Sequence, residues 1–126
     1  MKAVLDTSVV LATGLGPLNG ELAISAATLA ELHFGVLVTT DPATRAERLR
    51  RLSVIQRTFD ALPLDDDVAA SYGLLAAAVV AAGRQPRARV MDLLIAATAH
   101  AHNASLYTRN PDDLVGVDHL IPIITV

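Results

Sequence analysis

The sequence predicts a single α/β domain in which parallel strands are joined by helical crossovers. Three observations carry that expectation. Short runs of Val, Ile and Leu alternate with longer, alanine-rich runs of helical period along the whole chain. No internal repeat, linker or low-complexity segment breaks the alternation. The length, 126 residues, suits one domain with one core, so a single domain is expected over 1–126.

KAVLD (2–6) reads as a short buried strand, and TSVVLAT (7–13) as a short helix stopped by the loop GLGPLNG. ELAIS (21–25) reads as the second strand, followed by the helix ATLAELHFGVLV (27–38). Asp41 before Pro42 makes an N-cap and first-position pair. The helix it opens carries Leu49, Leu52, Ile55 and Phe59 on one stripe, with Arg45, Arg48 and Arg51 offset from it. ALPL (61–64) is the third strand. A long helix follows, with Asp65, Asp66 and Asp67 as its N-cap and first-turn acids. Val68, Tyr72, Leu75 and Val79 share one of its faces, and Gly83 ends it. RQPRARV is a basic connector. MDLLIAATAHAHN (91–103) is a helix with Asn103 as its C-terminal cap. SLYT (105–108) is the fourth strand, and HLIPIITV (119–126) contains the fifth.

Composition narrows the function classes. Aromatic residues are only 3 % of the chain, which disfavours base-stacking platforms for single strands. There is no cysteine, hence no disulfide, thiolate metal site or cysteine nucleophile. That fits a reducing cytoplasm. No secretory signal is visible, and no charge-free apolar run approaches the roughly 18 residues of a membrane span. The net charge of −3 argues against a nucleic-acid partner unless several carboxylates sit on metal ions.

In open α/β sheets, ligands gather beyond the carboxyl ends of the strands. Acids are placed there. Asp6 ends the first strand, and Glu31 lies one turn into the helix after the second. Asp92 lies on the first turn of the helix before the fourth strand, and Asp112 and Asp113 lie in the loop after it. If the first and fourth strands are neighbours, these groups converge on one cleft. Carboxylates that close together cannot all stay ionised unaided; either pKa values rise or cations bind. Oxygen-only donors without Cys or a zinc-type His spacing suit Mg²⁺ or Mn²⁺. Two such ions about 4 Å apart can activate water and stabilise a phosphodiester's leaving oxygen.

Each acid also has a local use. Thr28-x-x-Glu31 matches a capping box. Asp92 complements a helix dipole, and Asp112 and Asp113 suit a turn after Pro111. Asp6 is the hardest to assign this way, because an idle carboxylate behind buried apolar residues costs desolvation energy. The histidines offer no metal pair: His100 and His102 point to different helix faces, and His33 and His119 have no apparent ligand partner. Arg84, Arg87 and Arg89 lead directly to Asp92, which makes them candidates for phosphate contact as well as a solvated loop.

The ordered set LDTSVV, SAATLAEL and GRQPRARVMDLLIAATAHAHNASLYTRNPDDL, with a C-terminal strand, resembles the PIN-domain ribonucleases. More narrowly, it resembles the VapC toxins of bacterial toxin–antitoxin pairs. The resemblance covers essentially the whole chain. It implies a three-layer α/β/α fold with a five-stranded parallel sheet of order 3-2-1-4-5. It implies a cytoplasmic, Mg²⁺- or Mn²⁺-dependent endoribonuclease using one or two ions and leaving 5′-phosphate and 3′-hydroxyl ends. It also implies a homodimer and a VapB-type antitoxin that lays a segment into the active-site groove. The family's four acids fall on Asp6, Glu31, Asp92 and Asp113, the last chosen over Asp112 by the TRNxxD spacing. Thr108 and Asn110 occupy the motif's polar positions as helpers, and Ser8 can reach the metal shell. Arg84, Arg87, Arg89 and Arg109 are the expected RNA contacts.

The charge objection weakens on this basis. With four of the 13 acids on metal, the remainder are nearly balanced by 10 Lys and Arg. Nine of those ten are Arg, which pairs with phosphate in bidentate geometry. Two rivals are distinguishable. A receiver-type phosphoacceptor domain needs a lysine late in the chain, and Lys2 is the only lysine here. A PIN-like subunit that binds without cutting would not need its acids intact.

Overall fold

The computed structural model describes residues 1–126. The five strands are β1 (Lys2–Leu5), β2 (Glu21–Ser25), β3 (Asp60–Leu62), β4 (Ser105–Thr108) and β5 (Ile123–Thr125). They pair in parallel in the order β3-β2-β1-β4-β5, as expected. β1 is therefore central, with β2 and β4 on either side. The register pairs Leu5 with Ile24 on one side and with Tyr107 on the other. Asp6, Ser25 and Thr108, each the next residue along, thus stand level at the carboxyl edge of the sheet.

The helices are α1 (Thr7–Val10), α2 (Ala26–Val38), α3 (Pro42–Thr58), α4 (Asp66–Ala81) and α5 (Val90–Ala101). Strand alternation sends side chains to two separate cores. Val4 and Leu106 point to one face, where they meet Val68, Leu75 and Val79 of α4 and Leu93, Ile95 and Ala99 of α5. Ala3, Leu5, Ile24 and Tyr107 point to the other, with Val9 of α1 and Ile55 of α3. This is the three-layer arrangement. Helix α5 is buried nearly all round: Ile95, Ala96, Ala97 and Ala99 have no exposed surface. That explains its continuous apolar and alanine-rich sequence. Small side chains let α5 sit close to the sheet and to α4 at once, and this fixes where Asp92, on its first turn, must stand.

Several boundaries and faces differ from expectation. Helix α1 stops at Val10 rather than Thr13, because the glycine-rich loop that turns at Gly14 follows closely. β3 begins at Asp60, one residue before ALPL, and ends at Leu62. Of the α3 stripe, Leu52 and Ile55 are buried but Leu49 is 51 % exposed. The basic connector contains a 3₁₀ turn over Pro86–Arg89. Other local signals behave as read. Asp65 accepts the Val68 N–H at 3.0 Å as the N-cap of α4. Asn103 takes a left-handed conformation (φ 52°) just past the end of α5. His100 bonds Ser71 at 2.8 Å between α4 and α5, a structural contact. No helix is long and apolar enough to cross a membrane.

Candidate active site

Asp6 leaves β1 in extended conformation and serves as N-cap residue of α1, yet its side chain makes no capping bond. The carboxylate is turned elsewhere. Its Oδ2 accepts the Ser8 hydroxyl at 2.6 Å and the Thr108 hydroxyl at 3.1 Å. Each hydroxyl is itself oriented by a backbone N–H, Ser8 by Arg109 at 3.2 Å and Thr108 by Asn110 at 3.0 Å. The Asp6 N–H donates to Tyr107 O at 2.9 Å, which ties the acid to β4. At 9 % exposure Asp6 is nearly buried, and these bonds offset its desolvation.

Glu31 stands one turn into α2, half-buried. The capping-box reading fails here. Ser25, not Thr28, is the N-cap, and its hydroxyl accepts the Ala27 N–H at 3.1 Å. Glu31 reaches away from its own helix start: its Oε1 accepts the Thr7 hydroxyl at 2.8 Å. Thr7 in turn shares a 2.9 Å bond with the buried Thr28. The Thr98 hydroxyl of α5 gives its one proton to Leu94 O at 2.8 Å and accepts from the Ser25 hydroxyl at 3.0 Å, with both side chains fully buried. That second bond joins the helix carrying Asp92 to the one carrying Glu31. Thr7, Thr28 and the Ser25–Thr98 pair are absent from the sequence-based site. Their one legible signal is a polar side chain on an otherwise apolar face.

Asp92 is half-buried on the first turn of α5, and its pKa is pushed up from 3.8 to about 6. Burial is the largest cause, followed by the negative charges of Asp6, Asp113 and Glu31; Arg89 opposes them. Asp6, Asp113 and Glu31 therefore all lie within electrostatic range of Asp92. Asp113 lies in a 3₁₀ turn over Pro111–Leu114, its N–H held by Asn110 O at 3.1 Å, and its Oδ1 is 3.3 Å from Arg89 Nη2. Asp112, one residue earlier, is exposed and is not among the charges acting on Asp92.

The supporting residues divide by geometry. Ser8 and Thr108 touch Asp6 through their side chains, whereas Asn110 contributes through its backbone and its side chain is exposed. Arg84 and Arg89 border a shallow depression shared with Asp113. Arg87 and Arg109 are exposed, and Arg109 meets the site through its N–H alone.

The donor set is carboxylate and hydroxyl oxygen, which suits a hard divalent cation. Beyond the effect of burial, three neighbouring carboxylates raise the pKa of Asp92 against one opposing arginine, so added positive charge there is favourable. The fit lies in this charge and not in a finished cage: no three acidic or histidine side chains anywhere in the chain are gathered closely enough to grip one ion.

Comparison with known proteins adds relatives. A family model described as PIN domain matches residues 3–120. The chain is 37% identical over 121 residues to Ribonuclease VapC5 of Mycobacterium tuberculosis, covering 91% of this chain and 87% of that protein. It is 36% identical over 117 residues to Ribonuclease VapC4 of the same organism, covering 88% of each. Among solved structures it is similar to a chain of VapBC-5, a toxin–antitoxin system of Mycobacterium tuberculosis. The TM-score is 0.84 with 32% identity, covering 99% of this chain and 97% of that one. It is also similar to a chain of FitAcB from Neisseria gonorrhoeae, with a TM-score of 0.77 and 26% identity, covering 97% of this chain and 96% of that one.

Proposed function

This chain belongs to the PIN-domain family, and on that premise we propose that it is an endoribonuclease, the toxin of a VapC-type toxin–antitoxin pair. The relatives named as VapC ribonucleases, aligned over most of their length, support the activity. The similar chain in a VapBC toxin–antitoxin structure supports a VapB-type partner. Homodimerisation and a cytoplasmic location, where RNA is available, belong to the same proposal.

One observation carries the site assignment. Asp6, Glu31 and Asp113, from three separate segments, all raise the pKa of Asp92 at the carboxyl edge of the sheet. These four acids would hold one or two Mg²⁺ or Mn²⁺ ions. The ions would supply Lewis-acid activation of a water and charge stabilisation at the leaving oxygen of an RNA phosphodiester. The chain's own groups do the positioning. Ser8 and Thr108 hold Asp6 by one oxygen, Oδ2, leaving Oδ1 free of protein partners. Thr7 holds Glu31 by Oε1 and leaves Oε2 likewise free. Arg89 offsets part of the negative charge and is placed to meet phosphate beside Asp113.

Asp6→Asn tests the assignment. The amide retains the shape and can still accept from Ser8 and Thr108, so the fold is expected to persist by circular dichroism. Cleavage of total RNA in Mn²⁺ should be lost, whereas the unaltered chain should leave 5′-phosphate ends. Full activity in the variant would refute the assignment of Asp6.

A further inference from the structure

Arg45, Arg48 and Arg51 recur at one-turn spacing on α3, and the site described above uses none of them. The structure separates them. Arg45 turns back to the end of α2, donating to Thr39 O at 2.8 Å. Arg48 and Arg51 instead line a groove of about 380 Å³ that also includes Thr7 and Glu31. The groove therefore opens directly from the acidic edge. Its apolar lining includes Leu11, Leu52 and Ile55.

Both guanidinium groups are held but not neutralised. Arg48 Nη1 donates to Gly35 O at 2.7 Å, and Arg51 Nη2 donates to Leu11 O at 2.5 Å. Backbone carbonyls fix their positions without cancelling their charge. The chain's two ion pairs lie elsewhere, between Arg50 and Glu47 and between Arg89 and Asp113. Two positioned, unpaired cations beside an apolar lining match a nucleotide, which offers an anionic phosphate next to a weakly polar base face.

We infer that this groove seats the RNA strand flanking the cleaved phosphodiester, with Arg48 and Arg51 on its phosphates and a base against the apolar lining. This rests on the ribonuclease reading for its choice of ligand. It assigns the flanking strand to the α2–α3 side of the acidic edge, opposite the arginines that precede Asp92.

Salt-dependent binding tests it. The probe is a short, fluorescein-labelled single-stranded RNA of mixed sequence, titrated with full-length protein carrying Asp6→Asn to prevent cutting. Removing one arginine from a phosphate should reduce the slope of log affinity against log salt by about 0.7. Arg48→Gln with Arg51→Gln should weaken binding several-fold and flatten the slope by about 1.4. Arg50→Gln, whose guanidinium is already paired, should change neither. If removal of the Arg51–Leu11 bond unfolds the double variant, Arg48→Gln alone should flatten the slope by about 0.7. Unchanged affinity and slope in the folded variants would overturn the inference. So would an effect confined to antitoxin binding with RNA binding intact, which would assign the groove to protein recognition. Parent protein that binds RNA with the expected slopes yet never cuts it under Mn²⁺ would refute the ribonuclease reading and leave the groove standing.

Discussion

The Thr28 hydroxyl donates to the Thr7 hydroxyl, and that direction is fixed by chemistry. The two oxygens are 2.9 Å apart, and either could donate in isolation. Thr7 has one hydroxyl proton, and it goes to Glu31 Oε1 at 2.8 Å. An ionised carboxylate only accepts. Thr7 must therefore accept from Thr28, giving a one-way chain from a fully buried residue of α2 to the carboxylate of Glu31.

Thr28→Val keeps the shape and removes the donor. Thr7 is then without the partner that orients it, and Glu31 without its fixed rotamer. Folding stability should fall by about 1 kcal/mol, the usual worth of one such bond. Mn²⁺ affinity, read by calorimetry, should fall several-fold, and Thr28→Ser should restore it. In a Glu31→Gln background the valine substitution should have no further effect on Mn²⁺ affinity. An equal loss in both backgrounds would show that Thr28 does not act through Glu31.

If Asp92 holds the proposed ion, stability and metal affinity should depend on pH in opposite directions. Its folded pKa, about 6, lies above the 3.8 expected for the unfolded chain. Between those values the folded state holds more of the proton. Metal-free stability should therefore fall as pH rises through that window and level off above it. Mn²⁺ affinity should instead rise over the same window, because proton and metal compete for the carboxylate. Thermal melts of the metal-free protein with and without Asp92→Asn should differ in slope below about pH 6 and run parallel above it. Identical slopes throughout would contradict the shared field of the four acids.

On the proposed reading, Arg89 would compete with a divalent cation for the negative charge of Asp113 and Asp92. Its pair with Asp113 is partly exposed, so removing it should cost little stability, about 0–1 kcal/mol. Arg89→Gln should nevertheless tighten Mn²⁺ binding at neutral pH, because a resident positive charge is gone. If RNA phosphate also uses Arg89, the KM for RNA should rise in the same variant. Weaker Mn²⁺ binding would place Arg89 among the groups that support the ion instead.

The sheet was legible because its strands are short apolar runs with clear punctuation: β2 and β4 fall on the residues read from the sequence. The placement of the acids at the carboxyl edge was legible because strand ends are few, and Asp6 stood out because an idle buried carboxylate is costly. What failed was decided by tertiary contact. Leu49 lies on the apolar stripe of α3, but the stripe is covered at Leu52 and Ile55 while Leu49 stays in solvent. Ser25 and Thr28 are both good caps, and only the start of α2 at Ala26 decides between them. Thr7 and Thr28 are 21 residues apart, and no local pattern brings them together. The groove between α2 and α3 is likewise invisible until the two helices pack and Arg48 and Arg51 turn to the same side.

The most direct measurement is calorimetric titration of Mn²⁺ into the metal-free chain and into Asp6→Asn, Glu31→Gln, Asp92→Asn and Asp113→Asn. Saturable binding by the unaltered chain and at least tenfold weaker binding by every variant (~1.4 kcal/mol each) is the expected result. An unaltered chain that takes up no ion, or variants that bind as tightly as it does, would contradict the single acidic centre on which the proposed RNA cleavage depends.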